Sequence, residues 1–254
     1  MKTDMVYRFD ELNVCERGAL TSHRFFSHGD YYDSDRIQFG TLRLLNSNYY
    51  TGPGRFGQHY HNDLEVILMP LTGSIEYTDS KSNCCVIKKG QLITVGTGSG
   101  MSYAINSASP KEEVNYLKIW LLPRKCGLTP IHHLHTVDMD MLDNNFHYVV
   151  VPDTTSAQVA TIHQDAWLAI SQVSTKTKIT YHKKHANHGI FIRVCFGEIK
   201  VRGHKLSEGD CIAFDDKNDV LVEGLKKNRF ILLEIPMDVT MYDSDSSIEI
   251  PAKM

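Results

Sequence analysis

The sequence predicts an all-β chain made of two antiparallel β-domains in tandem. Three observations carry that expectation. Short runs rich in Val, Ile, Leu and Tyr recur along the 254 residues, punctuated by Gly, Pro, Asn, Asp and Ser. Several runs alternate, as in "YLKIWLL" (116–122), which suits strands with one face on a core. Finally, "LTGSIEY…KKGQLITV" in the first half is faintly repeated by "CFGEIKV…SEGDCIAF" in the second, with Gly73 matching Gly197 and Gly90 matching Gly209.

The elements follow in order. The first series is "TLRLL" (41–45), "EVILMPL" (65–71), "SIEYTD" (74–79), "CCVIKKG" (84–90), "QLITVG" (91–96), "MSYAIN" (101–106) and "NYLKIWLLP" (115–123). The second is "HYVVVP" (147–152), "DAWLAISQV" (165–173), "TKITYH" (177–182), "GIFIRVCFGEIKVRG" (189–203), "DCIAFDD" (210–216), "DVLVEG" (219–224) and "RFILLEIP" (229–236). Many short strands at such spacing predict sandwiches or barrels. Between the series lies a stretch with Gly, Pro, Asn and three histidines but little periodicity. The division expected is a first domain over 1–130, a connector over 131–144, a second domain over 145–240 and an acidic tail over 241–254.

Composition narrows the function. Net charge is −3 and the pI is near 6.5, so nothing calls for nucleic acid or an anionic membrane surface. No apolar run approaches the ~18 residues of a membrane helix, and the N-terminus lacks the apolar core of a secretory signal. Six cysteines, with no Cys-x-x-Cys, read as buried or half-buried thiols in a reducing, cytoplasmic setting.

Chemistry concentrates in "GQHYHNDLEVI" (57–67). On a strand, His59 and His61 share a face and can converge on one ion. Straight strand would carry Glu65 ~13 Å past His61, but a turn at Asn62–Asp63 would bring it back. Two imidazoles and a carboxylate would then form a facial triad suited to iron(II). The same spacing also fits two surface histidines, and spacing alone favours that reading.

"FFSHGDYYDSDRIQFGTLRLLN" (25–46), "GPGRFGQHYHNDLEVI" (52–67), "LTGSIEYTDS" (71–80), "KKGQLITVGTGSGMSYAINSAS" (88–109) and "LKIWLLP" (117–123) stand in the order and spacing of the pirin family, which the chain resembles. The resemblance implies a bicupin, two cupin-type (jelly-roll) β-barrels in one chain, with an ion, usually iron, in the first. It implies four ligands. His59 and His61 match the family's His-x-His pair. The family's other His and its Glu fall at Tyr103 and Ile105, and both depart from the pattern. Ile105 cannot ligate. Tyr103 would have to bind as phenolate, costly at neutral pH given an ordinary pKa near ~10. Glu65 matches a carboxylate found in many pirins that is not one of the four.

The expectation is therefore a weakened site of His59 and His61 with Glu65 or Tyr103 as a third ligand, holding iron or another divalent metal weakly or not at all. A non-enzymatic or regulatory binding protein follows, engaging a protein partner or a small aromatic ligand. The alternative is a metal-dependent (iron) dioxygenase of quercetinase type acting on a flavonol-like aromatic. "HKKHANH", with His182, His185 and His188, reads as a basic solvated loop, and His133 and His135 of "IHHLHT" as surface. "GDYYDSD" (29–35) reads as rim packing, and "GTGSG" (96–100) lacks the Lys and helix of a phosphate loop.

Overall fold

A computed structural model describes residues 4–52, 54, 57–109, 111–155, 158–216 and 219–239. The acidic tail over 241–254 lies outside the described residues. No helix among them is long and apolar enough to cross a membrane.

The strands of the first half are Met5–Tyr7 (β1), Asn13–Arg17 (β2), Leu20–Arg24 (β3), Leu42–Tyr50 (β4), His59–His61 (β5), Glu65–Thr72 (β6), Ser74–Asp79 (β7), Cys84–Lys88 (β8), Gln91–Gly96 (β9), Met101–Ser107 (β10), Val114–Leu121 (β11) and Ile131–Thr136 (β12). Those of the second half are His147–Pro152 (β13), Ala160–Ile162 (β14), Trp167–Ser171 (β15), Lys178–His182 (β16), His188–Phe196 (β17), Glu198–Val201 (β18), His204–Ser207 (β19), Cys211–Phe214 (β20), Asp219–Gly224 (β21) and Arg229–Pro236 (β22). Among the described residues the strands form two seven-stranded and two four-stranded sheets, one of each in each domain. The orders are β12-β9-β6-β11-β4-β3-β2 with β5-β10-β7-β8, and β1-β20-β17-β22-β15-β13-β14 with β16-β21-β18-β19. The architecture is the expected all-β bicupin, with open jelly-roll sheets rather than closed barrels.

The two seven-stranded sheets pack on each other. Ile67, Met69, Leu117, Ile119 and Leu121 of the first share one buried cluster with Leu168, Ile170, Phe191, Ile231 and Leu233 of the second. The opposite faces of the same strands bury Val66, Leu68, Tyr116 and Trp120 inside the first domain, and Ile190, Ile192, Phe230 and Leu232 inside the second. Central strands buried on both faces read as near-continuous apolar runs, which is why "EVILMPL" and "RFILLEIP" look as they do. The repeat has a backbone cause. Gly73 and Gly197 take φ +66° and +76° at the turns after β6 and β17, and Gly90 and Gly209 take +85° and +89°.

Two expectations about organisation differ from the structure. The connector contains β12, which pairs along its length with β9 as the edge of the first domain's large sheet. Near the N-terminus, β1 pairs with β20 and so joins the second domain's sheet, with Arg8 bound to Asp210 at 2.7 Å beside it. A three-residue strand followed by a charged turn carries no periodicity to signal that crossing.

Candidate functional site

The site lies inside the first domain, where the small sheet faces the large one. On β5, His59 sits opposite Tyr103 of β10, and His61 opposite Met101. His59 is exposed and His61 half-buried. The His61 ring lies 5.0 Å from the Tyr103 ring and 5.0 Å, edge-on, from Trp120. From the large sheet, Tyr116, Lys118 and Trp120 of β11 alternate inward. Lys118 Nζ stands 4.6 Å from the Trp120 ring centroid and 5.5 Å from that of Tyr103. His28 closes the group, 5.0 Å edge-on to Trp120. The "GDYYDSD" loop positions it. Arg24 pairs with Asp30 at 2.6 Å and donates to the His28 carbonyl, and His28 and Tyr31 exchange backbone hydrogen bonds. Rim packing is thus what that loop does.

The electrostatics are those of an enclosed cation among neutral rings. Burial brings the Lys118 ammonium down to about 8, and no carboxylate acts to raise it. Burial first, then Lys118 and the neighbouring His59 and His28, push His61 down to about 3. Burial and then Lys118, Arg43, Arg24 and Arg17 push His28 to about 4. His59 is lowered by burial and then Lys118. All three imidazoles are therefore neutral at pH 7. Burial drives the Tyr103 phenol far above its ordinary range, with the neighbouring Trp120 N–H pulling it back in part. Even so, Tyr103 Oη and Trp120 Nε1 are both buried without a completed protein hydrogen bond.

The structure brings together His59, His61 and Tyr103 and separates Glu65 from them. The turn at Asp63 (φ +50°) does reverse the chain, but it leads from the small sheet into the large one. On β6, Glu65 shares a face with Ile67 and Met69 and points to the second domain, where its carboxylate accepts from the His163 N–H at 3.2 Å. His163 in turn meets Asp153 at 2.7 Å, and Asp153 meets Arg124 at 2.8 Å. Glu65 is thus an interdomain residue, not a third ligand. Ile105 is buried in the domain core. Among the described residues no three His, Cys, Asp or Glu side chains are grouped to hold an ion.

The donor set consequently does not fit the ion the family resemblance implies. Two neutral imidazoles face a protonated phenol, an isoleucine and an ammonium. A dication ~6 Å from that ammonium would be opposed by on the order of 5 kcal/mol at an effective dielectric of ~20. Sequence reasoning passed over Lys118, Trp120 and His28. The signal was "YLKIWLL" itself. Its alternation places Tyr116, Lys118 and Trp120 on one face, which reads as the solvated one until both faces prove buried.

The "HKKHANH" reading also needs correction. His182 is exposed against Asp219, but His188 is 2 % exposed inside the second domain. Its Nδ1 stands 3.3 Å from Glu234, a fully buried carboxylate that accepts from Tyr181 Oη (2.7 Å), Lys184 N (2.9 Å) and His185 N (3.0 Å). The loop folds over the second jelly roll and is tied down by one carboxylate.

Comparison with known proteins agrees with this architecture. Residues 8–121 match the family Pirin, and residues 148–235 match the quercetinase C-terminal cupin domain. A quercetin 2,3-dioxygenase of Escherichia coli K12 is 26% identical over 234 residues, covering 91% of this chain and 99% of that protein. A putative quercetin 2,3-dioxygenase of Pasteurella multocida is 25% identical over 221 residues, covering 85% and 91%. The crystal structure of the E. coli bacterial pirin YhhW in complex with nickel(II) superposes with a TM-score of 0.86 at 23% identity, covering 92% of this chain and 99% of that one. With both halves matched in order, the chain belongs to the pirin family.

Proposed function

We propose that this chain is a pirin-like binding protein of regulatory rather than catalytic role, in which the first domain has parted from the family's metal chemistry. One observation carries the reading. At the positions where pirins place a His and a Glu ligand, the chain has Tyr103 and Ile105, and an ammonium, Lys118, sits against Tyr103 and Trp120. Two imidazoles alone hold a divalent ion weakly. Retention of the His59–His61 pair in neutral form, together with the names of the bacterial relatives, favours the second reading, an iron-dependent dioxygenase of quercetinase type.

Metal content decides between them. Untagged protein is offered iron(II) or nickel(II) without oxygen, desalted, and counted for metal per chain by mass spectrometry. The His59→Ala/His61→Ala double variant is the control, and quercetin turnover is followed in parallel. The expected result is far less than one ion per chain and no turnover. One ion per wild-type chain, absent from the double variant, would replace the binding reading by the dioxygenase one.

A further inference from the structure

The interior of the first domain presents a set of hydrogen-bond donors without acceptors. Lys118 Nζ makes no hydrogen bond or ion pair among the described residues, and its contacts are the faces of Tyr103 and Trp120. Tyr103 Oη and Trp120 Nε1, on residues 3 % and 5 % exposed, also lack a completed partner. Asn46 lies directly across from Lys118 in the β4–β11 register, and its buried Oδ1 is an acceptor that also lacks a partner, but it is a neutral amide and supplies no countercharge. Asp79, across from Tyr103 in the β7–β10 register, is occupied by Tyr77 Oη, Lys81 N and the Asn83 side chain. A partly buried ammonium without a countercharge is costly, and so are buried O–H and N–H groups without acceptors. All three face the same interior.

Rings lie beside these donors. His28, His61 and Lys118 are each half-buried, so this cluster lies at the edge of the interior rather than sealed within it. His61 lies 5.0 Å from both the Tyr103 and Trp120 rings, so the ammonium is bordered by aromatic groups of the kind that pack against a planar ligand. A carboxylate answers the donors. It is anionic at neutral pH and offers two oxygens with about four lone-pair sites. An aromatic body answers the rings.

Resting on the binding reading above, we propose that the first domain takes a small planar aromatic carboxylate directly, without a metal, its oxygens received by Lys118 Nζ with Tyr103 Oη and Trp120 Nε1 as the accompanying donors. The ligand stands where an ion and its bound substrate would stand in a pirin with four ligands.

The test is calorimetric titration of the full chain in EDTA with salicylate, and with salicylamide as its uncharged isostere. The proposal expects salicylate to bind and salicylamide to bind at least ~10-fold more weakly, as expected of a lost charged hydrogen bond. Lys118→Met, which removes an uncompensated charge and is expected to melt no lower than wild type, loses salicylate affinity by ~10–100-fold. Tyr103→Phe, a near-isosteric change, loses a smaller factor and serves should Lys118→Met fail to fold. The chain has two tryptophans, so the two indole N–H resonances are assigned with Trp167→Phe. On ligand addition Trp120 shifts and Trp167 does not. No salicylate binding, equal binding by Lys118→Met, or an unmoved Trp120 signal overturns the proposal. Should metal uptake also stay far below one ion per chain, the regulatory reading survives that failure. Binding abolished by EDTA and restored by iron or nickel overturns both.

Discussion

Replacing Glu65 by Gln should make this protein relatively more stable as the pH rises. Glu65 is 1 % exposed at the junction of the two domains. Burial raises its carboxyl from the ordinary 4.5 to about 7, although the His163 N–H and then the His163 side chain pull it back. Asp153 adds to the rise, and Arg124 opposes it. For a carboxyl with a raised folded pKa, the stability it contributes is complete below 4.5 and is lost as pH climbs through about 7. The gap corresponds to ~3 kcal/mol at ~1.4 kcal/mol per pH unit. Glu65→Gln keeps the shape, retains an oxygen for the His163 N–H and cannot ionise. Urea unfolding of wild type and variant at several pH values between 4.5 and 8.5 gives the difference in stability directly. That difference should move in favour of the variant by ~2–4 kcal/mol across the window, whatever its value at the acid end. A difference flat with pH, or one moving toward wild type, would refute a neutral buried Glu65. The assay reads the domain junction and is independent of the ligand site.

Other substitutions test the remaining architecture. Glu234→Gln should behave oppositely. That carboxylate is held low despite burial by His188, the Lys184 and His185 N–H groups and Tyr181, so the variant loses ~2–4 kcal/mol at pH 7 by urea unfolding, and the deficit shrinks as pH falls through the carboxylate range. Gly197→Ala places a side chain at φ +76° where its Cβ would collide with the Lys227 carbonyl. It should lower stability by at least ~1–2 kcal/mol, read from the denaturation midpoint. A thiol reagent should label Cys84 and Cys126 quickly, because both are exposed. Cys195 and Cys211, buried with thiols pushed up by burial, should react only on unfolding. Equal rates for all four would contradict the packing between the large sheets.

Much of the fold was legible because strand runs and turn glycines are local signals. The Gly73–Gly197 and Gly90–Gly209 matches identified a duplication that the structure traces to four left-handed turns. What escaped was decided by distant pairing. β1 finds its partner about two hundred residues away, and β12 reads as a polar stretch because it is an edge strand that carries three histidines. In the site, the residue types at 59, 61, 103 and 105 were readable, since resemblance aligns them. The face on which Glu65 lies was not. Whether a strand buries one face or two is settled only when the second domain docks on Leu117, Ile119 and Leu121, whereas Lys118 lies on the opposite face, covered by the first domain's own small sheet.

These replacements make one electrostatic change. By resemblance, three neutral His and one Glu carboxylate around a dication leave a net charge of about +1 for a substrate anion to meet. Here the carboxylate position is Ile105, the third imidazole position is Tyr103, held protonated by burial, and the remaining two imidazoles are neutral. Lys118 alone supplies +1 in its ammonium form. On the reading proposed above, an entering ligand would meet the same charge from this group as in a metal-loaded pirin, with O–H and N–H donors in place of open coordination positions. On that reading, such a site is suited to an anion. Restoring Tyr103→His and Ile105→Glu alone should therefore not recover tight metal binding while Lys118 remains, because the ammonium opposes the dication by on the order of several kcal/mol. Adding Lys118→Met to that pair should raise metal uptake, measured per chain after desalting. Tight uptake with Lys118 still in place would show that the lysine does not stand in for the ion.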